Sequence, residues 1–303
     1  MNELLDPVLG RRTAPAWWVA ALVATVVGLT LSVSAEQLPG TEAPWIEDGV
    51  DAVAGLAIGA LGVVLLRRGV AAGLGRALVL TTALVGAVRL CGGLGDTLAG
   101  GADPPAVARL LTLAASVLFI PEFVLLFAAP LLLFPTGRLP SLRWRWVVGS
   151  AATGVGLVVC SILFGPGYMD DDVPAWGTNP LGVEALDGVT DMIAAAGLVL
   201  VLASLLMGVA AVAVRLVRYQ GARRRQMWWF LGGIAPLLVG LALDPGSSAT
   251  AQTLAALVIF ATLLGGMGWA LLGSPARAVH DEEDLTLRTS RPTRFPAPSA
   301  TDT

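Results

Sequence analysis

Eight near-uncharged apolar segments, each about as long as a bilayer-spanning helix, recur along this 303-residue chain. They cover residues 17–33, 50–66, 77–98, 107–134, 147–164, 190–214, 228–243 and 253–272. A water-soluble chain rarely repeats such runs, and within lipid every backbone N–H and C=O must bond inside its own segment. The expected fold is therefore all-α, a polytopic membrane bundle of about eight helices over residues 1–272, followed by a tail over residues 273–303. A mean hydropathy of +0.76 with only 14% charged residues agrees, and leaves no room for a large water-facing catalytic domain.

The missing residue types narrow the chemistry. All 19 basic residues are Arg, so neither Schiff-base chemistry nor a phosphate-loop lysine is available. His280 is the only histidine, and the two cysteines, Cys91 and Cys160, lie inside apolar runs. No zinc-type ligand set or disulfide framework can be assembled from these, although a lone Cys91–Cys160 pairing stays open. No catalytic residue, metal ligand or cofactor-binding motif is expected.

Orientation follows from the arginines, which are retained on the cytoplasmic side of short loops. With the N-terminus inside, thirteen arginines fall in inner turns: Arg11 and Arg12, then Arg67, Arg68 and Arg76, then Arg138, Arg143 and Arg145, then Arg215, Arg218, Arg223, Arg224 and Arg225. Outer loops collect acids instead, including Glu36, Glu47, Asp48, Asp103, Asp170, Asp171, Asp172 and Asp187. Both termini are expected in the cytoplasm of a bacterial inner membrane. Val33-Ser34-Ala35 fits the small-residue pattern of a signal cleavage site, but the preceding run is long for a signal peptide, so an anchor is favoured. Each half also carries a Trp near Pro in an acidic outer loop, Pro44-Trp45 and Pro174-Ala175-Trp176, which would fit a parallel four-plus-four repeat. The polar tail, with His280 among acids, cannot bury a core and reads as solvated.

Charges within the apolar runs are the default places to look for function. Arg89 lies 12 residues from the start of the third run and Glu122 lies 12 residues from the end of the fourth, which puts both just past the midplane of neighbouring antiparallel helices. An Arg89–Glu122 pair is expected. Gly92, Gly93 and Asp96 follow Arg89 at helical spacing, opening a polar stripe towards the outside, and Pro121 and Pro130 interrupt the fourth helix. Arg89, Asp96 and Glu122 thus form the candidate ligand or ion site, with a purely structural ion pair as the competing reading. Gly55 and Gly59 suggest close helix packing. Arg223-Arg224-Arg225-Gln226-Met227-Trp228-Trp229 directly precedes a membrane helix, so anionic lipid is its expected partner, not nucleic acid.

Leu133-Phe134-Pro135-Thr136-Gly137-Arg138-Leu139-Pro140-Ser141-Leu142-Arg143-Trp144-Arg145 resembles a segment in the multi-helix N-terminal membrane regions of sensor histidine kinases from high-GC bacteria. Asn179-Pro180-Leu181-Gly182 and the Arg218 to Trp229 stretch are similar to later parts of that region. In that family the last membrane helix leads into a phospho-acceptor helix pair and an ATP-binding domain; here about 30 polar residues follow, and His280 lacks the surrounding helix. The resemblance implies a sensor-like membrane module without a kinase, working with a separate cytoplasmic or membrane signalling partner, and it supplies no ligand residues. A small-molecule or ion transporter is the alternative, and an integral-membrane enzyme using Glu122 and Asp96 as acid and base is a third reading.

Overall fold

In a computed structural model, which describes residues 10–35, 45–99, 104–167, 177–243 and 249–273, the chain forms eight long helices. They are α1 (Ala14–Ala35), α2 (Trp45–Arg68), α3 (Ala72–Ala99), α4 (Ala106–Leu133), α5 (Arg145–Phe164), α6 (Val189–Arg218), α7 (Gly221–Leu243) and α8 (Ala249–Leu272). No β-strand occurs among the described residues. Five helices, α1, α3, α4, α5 and α6, are long and apolar enough to cross a membrane. The polar tail with His280 and the loops carrying Glu36, Asp103 and Asp170–Asp172 lie outside the described residues.

The helices extend beyond the apolar runs at the end where the arginines collect. Helix α3 begins at Ala72 and α7 at Gly221, so Arg76, Arg223, Arg224 and Arg225 are helical residues and not loop residues. Arginine has high helix propensity, and its aliphatic stem lets the charge reach past the apolar boundary.

Helix α3 is the hub of the first half, packed against α1, α2 and α4. Glycine makes each approach close. A Cβ on Gly28 of α1 would collide with the Arg89 carbonyl, and one on Gly93 would collide with the Gly28 carbonyl. Farther along, Gly86 meets Ala21. Higher numbers on α1 meet higher numbers on α3, so these two helices run parallel. Helix α2 crosses α3 in the opposite sense, with Gly55 against Val85 and Gly59 against Thr82, whose Oγ1 donates to the Gly55 carbonyl at 2.6 Å. The Gly55/Gly59 spacing is thus used for packing within the chain, as the sequence suggests.

The second half is built differently. Helices α5 and α6 pair through Gly154 and Gly197, α7 and α8 pair through Gly233 and Gly266, and α8 returns to α2. No counterpart of the close α1–α3 packing joins α5 to α7 among the described residues, so the packing does not follow the four-plus-four repeat that loop order hinted at.

Helix α1 is fixed on three sides of its length. Trp18 Nε1 donates to the Leu56 carbonyl at 2.9 Å and Ser32 Oγ to Asp96 Oδ2 at 3.2 Å, while Thr97 Oγ1, which donates to the Gly93 carbonyl at 2.7 Å, comes within 3.4 Å of the Leu31 carbonyl. Cleavage after Ala35 would strip these contacts from α2 and α3. Intact-mass measurement of the purified protein is expected to show α1 retained; a mass beginning at Glu36 would contradict this.

Candidate functional site

The register of α3 on α4 places the intramembrane charges. A Cβ on Gly95 would lie 2.6 Å from Thr112 Oγ1, and one on Gly92 would lie 4.0 Å from Ala115 Cβ. Three residues forward in α3 therefore correspond to three residues back in α4. Continued, this antiparallel register sets Arg89 level with Leu118 and Glu122 level with Val85. The two charged residues stand one helical turn apart, about 6 Å along the axis. Helical side chains lean towards their own N-terminus, which on these antiparallel helices inclines Arg89 and Glu122 towards each other. Each is half-buried.

Asp96 occupies a different level. It accepts the Ser32 hydroxyl from α1 and lies two turns beyond Arg89, about 16 Å along the axis from the level of Glu122. The three candidate residues thus form a ladder along the α1–α3–α4 seam and not one compact pocket. Thr25 of α1, between the Ala21 and Gly28 contacts, adds a fully buried hydroxyl at the level of Leu90 with no hydrogen-bond partner. Cys91 and Cys160 are both free thiols.

A second construction stands at the arginine end, built on a residue that the arginine pattern assigns to an inner turn. Helix α4 ends before Phe134, whose backbone is extended, and Pro135 has no N–H to offer the Leu131 carbonyl four residues back. Phe134 N–H bonds the Pro130 carbonyl and Gly137 N–H bonds the Leu133 carbonyl, leaving Leu131 and Leu132. Arg215, 3% exposed near the end of α6, supplies both: Nη1 donates to the Leu131 carbonyl at 2.9 Å, and Nη2 donates to the Leu132 carbonyl. The planar guanidinium suits two adjacent carbonyls in a way an ammonium would not. Arg215 is therefore a buried cap and not a loop charge.

The turn that follows is packed on both sides. Phe134 is fully buried and stacks on Phe230 of α7, with ring centroids 4.2 Å apart and planes at 11°. Gly137 has φ +71°, and a Cβ there would lie 2.6 Å from the Ala71 backbone between α2 and α3. The Leu133–Gly137 segment thus joins α3, α4, α6 and α7 at one point.

At the opposite end, Asn179 serves as a cap in the same manner. Its Nδ2 donates to the carbonyls of Ile162 and Gly165 at 2.9 and 2.8 Å, with a longer contact to Leu163, and its Oδ1 accepts the Leu181 N–H. Gly182 lies so close to Gly165 and Pro166 that a Cβ would come within 2.8 Å of a carbonyl oxygen. Replacing Asn179 with Ala leaves the last carbonyls of α5 unmet and is expected to cost about 1–2 kcal/mol. A thermal melt in detergent showing no loss would contradict the capping role. Beside this loop, Ser161, Thr190, Asp187 and Asp191 line a pocket of about 200 Å³ between α5 and α6. Among the described residues no group of three or more His, Cys, Asp or Glu side chains is gathered as a metal site would require.

No protein-family model, characterised protein or solved structure matches this chain. Of the segments singled out in the sequence, residues 133–145 contain the Phe134 turn, residues 179–182 the Asn179 cap, and residues 218–229 the α6–α7 corner.

Proposed function

We propose that this chain is a non-catalytic, sensor-like or signal-relay membrane module. In this reading all eight helices span a bacterial inner membrane, both termini are cytoplasmic, and a separate cytoplasmic or membrane protein receives the signal. The observation that carries the reading lies on α4. That helix carries Glu122 one turn from the level of Arg89 and ends in the turn where Arg215, Phe230 and Ala71 converge. A change in the buried pair would move α4 along or about its axis, and that movement would reach α3, α6 and α7 together. Such coupling requires only that a ligand bind one helix arrangement better than the other.

The pair is testable by a double-mutant cycle. Arg89→Gln and Glu122→Gln should each lower stability in lipid nanodiscs, and the double substitution should cost less than the two added, with a coupling of at least about 1 kcal/mol. Additive effects would remove the pair from the account.

A transporter is the second reading, favoured by Pro121, which interrupts helical hydrogen bonding directly before Glu122, with Pro130 a second interruption about two turns farther along α4. Solute uptake lost in Glu122→Gln, with folding intact, would support it. The enzyme reading has the least support, because the α3–α4 register puts the backbone levels of Asp96 and Glu122 about 16 Å apart along the bundle.

A further inference from the structure

The first turns of α7 have two distinct faces. Ala222, Gln226, Met227 and Phe230 are buried against the bundle, while Arg224, Arg225 and Trp228 are exposed. Trp228 follows Arg225 by three residues and Arg224 by four, so it lies on their face one turn, about 5.4 Å, deeper towards the apolar part of the helix. Just before and at the start of α5 stand exposed Arg143 and Arg145, followed by Trp146, which is 84% exposed.

No counter-charge lies near these arginines along the sequence. No Asp or Glu occurs anywhere in residues 123–169 or 192–243, the stretches that contain both groups. An acidic protein or a nucleic acid would satisfy the guanidinium groups and leave the two tryptophans in water. An anionic bilayer surface satisfies both, with phosphates at the level of the arginines and the indole rings at the headgroup–acyl boundary.

We propose that the first turns of α5 and α7 form a surface selective for anionic phospholipid headgroups. Occupancy there bears directly on the Phe134 turn, because the buried face of the same α7 segment carries Phe230.

The test uses the full chain reconstituted in mixed bilayers, with spin-labelled phosphatidylglycerol and phosphatidylcholine as probes. The motionally restricted fraction gives their relative association. Phosphatidylglycerol should be preferred at low salt, and the preference should fall in high salt. At roughly 1 kcal/mol per arginine near a charged surface, each arginine removed weakens local headgroup binding about five-fold. Arg224→Gln/Arg225→Gln should therefore lose part of the preference and its combination with Arg143→Gln/Arg145→Gln most of it, whereas Asp187→Asn/Asp191→Asn at the opposite end should keep it, with helicity by circular dichroism unchanged in all three. Equal association of the two lipids, or a preference that survives the fourfold substitution, would overturn the proposal. So would salt-sensitive binding of poly-glutamate or RNA to the detergent-solubilised chain in the absence of lipid selectivity, since that would assign the surface to an acidic macromolecule.

Discussion

Replacing Arg215 with Met should destabilise the bundle by about 3 kcal/mol or more. The substitution keeps most of the aliphatic stem but removes two charge-assisted hydrogen bonds, each contributing about 1.5–3 kcal/mol, and leaves the Leu131 and Leu132 carbonyls without donors in a buried setting. No local repair is available, because Pro135 has no N–H and Phe134 already turns the chain out of the helix. Arg215→Lys should recover part of the loss, since one ammonium can reach a carbonyl but lacks the planar fork that meets two. The comparison of both variants with the native chain by thermal or steric-trapping unfolding in bilayer discs is decisive. A native-like midpoint for Arg215→Met would show that the α4–α6 cap contributes little.

The second large effect is expected at the α1–α3 crossing. Gly28 and Gly93 bring two helix backbones together so closely that neither position has space for a Cβ. Without a hydrophobic force between helices in lipid, this close approach is itself the source of association, through dispersion and weak backbone contacts. Gly28→Leu must push α1 away from the Arg89 carbonyl and should cost about 3 kcal/mol. It should also break the Ser32–Asp96 hydrogen bond, because the two contacts share one parallel interface. Gly156 of α5 is the control: it is exposed, nothing lies within 4 Å of its Cβ position, and Gly156→Ala should leave stability unchanged or raise it through helix propensity. Equal loss in both variants would indicate a general intolerance of substitution and not a specific crossing.

Much of this architecture can be read from the residues, for a physical reason. Apolar runs longer than a bilayer is thick have few alternatives to the helix, so element type and approximate position follow from composition along the chain. The small-residue pair Gly55 and Gly59 likewise announces close packing, and it packs against α3. Helix ends were less legible. Arg76 and Arg223–Arg225 look like loop charges because hydropathy falls there, yet hydropathy marks the edge of the bilayer and not the end of the helix, and arginine sustains the helix beyond that edge.

The candidate site was legible only in part. Spacing from segment ends puts Arg89 and Glu122 at matched depth, with Asp96 seven residues beyond Arg89; the register set by the Gly92–Ala115 and Gly95–Thr112 contacts separates the first two by one turn and leaves Asp96 farther along. Arg215 was missed for a different reason. Counting arginines for orientation treats them as interchangeable, whereas this one is buried. The signal that could have found it is Pro135 directly after an apolar run: a proline there orphans the carbonyl of Leu131, and a buried orphan carbonyl needs a donor from elsewhere. The orienting principle and the capping principle act on the same residue type, and the sequence alone does not say which arginine serves which.

The central claim, that the bundle relays a signal to a separate protein, is tested most directly by what it holds in its native membrane. Tagged chain extracted with native lipids should enrich one cytoplasmic signalling protein over a mock preparation, and Glu122→Gln, still folded, should change the amount recovered. Recovery of the bundle alone from both, together with a solute flux that depends on Glu122, would contradict relay and make the chain a transporter.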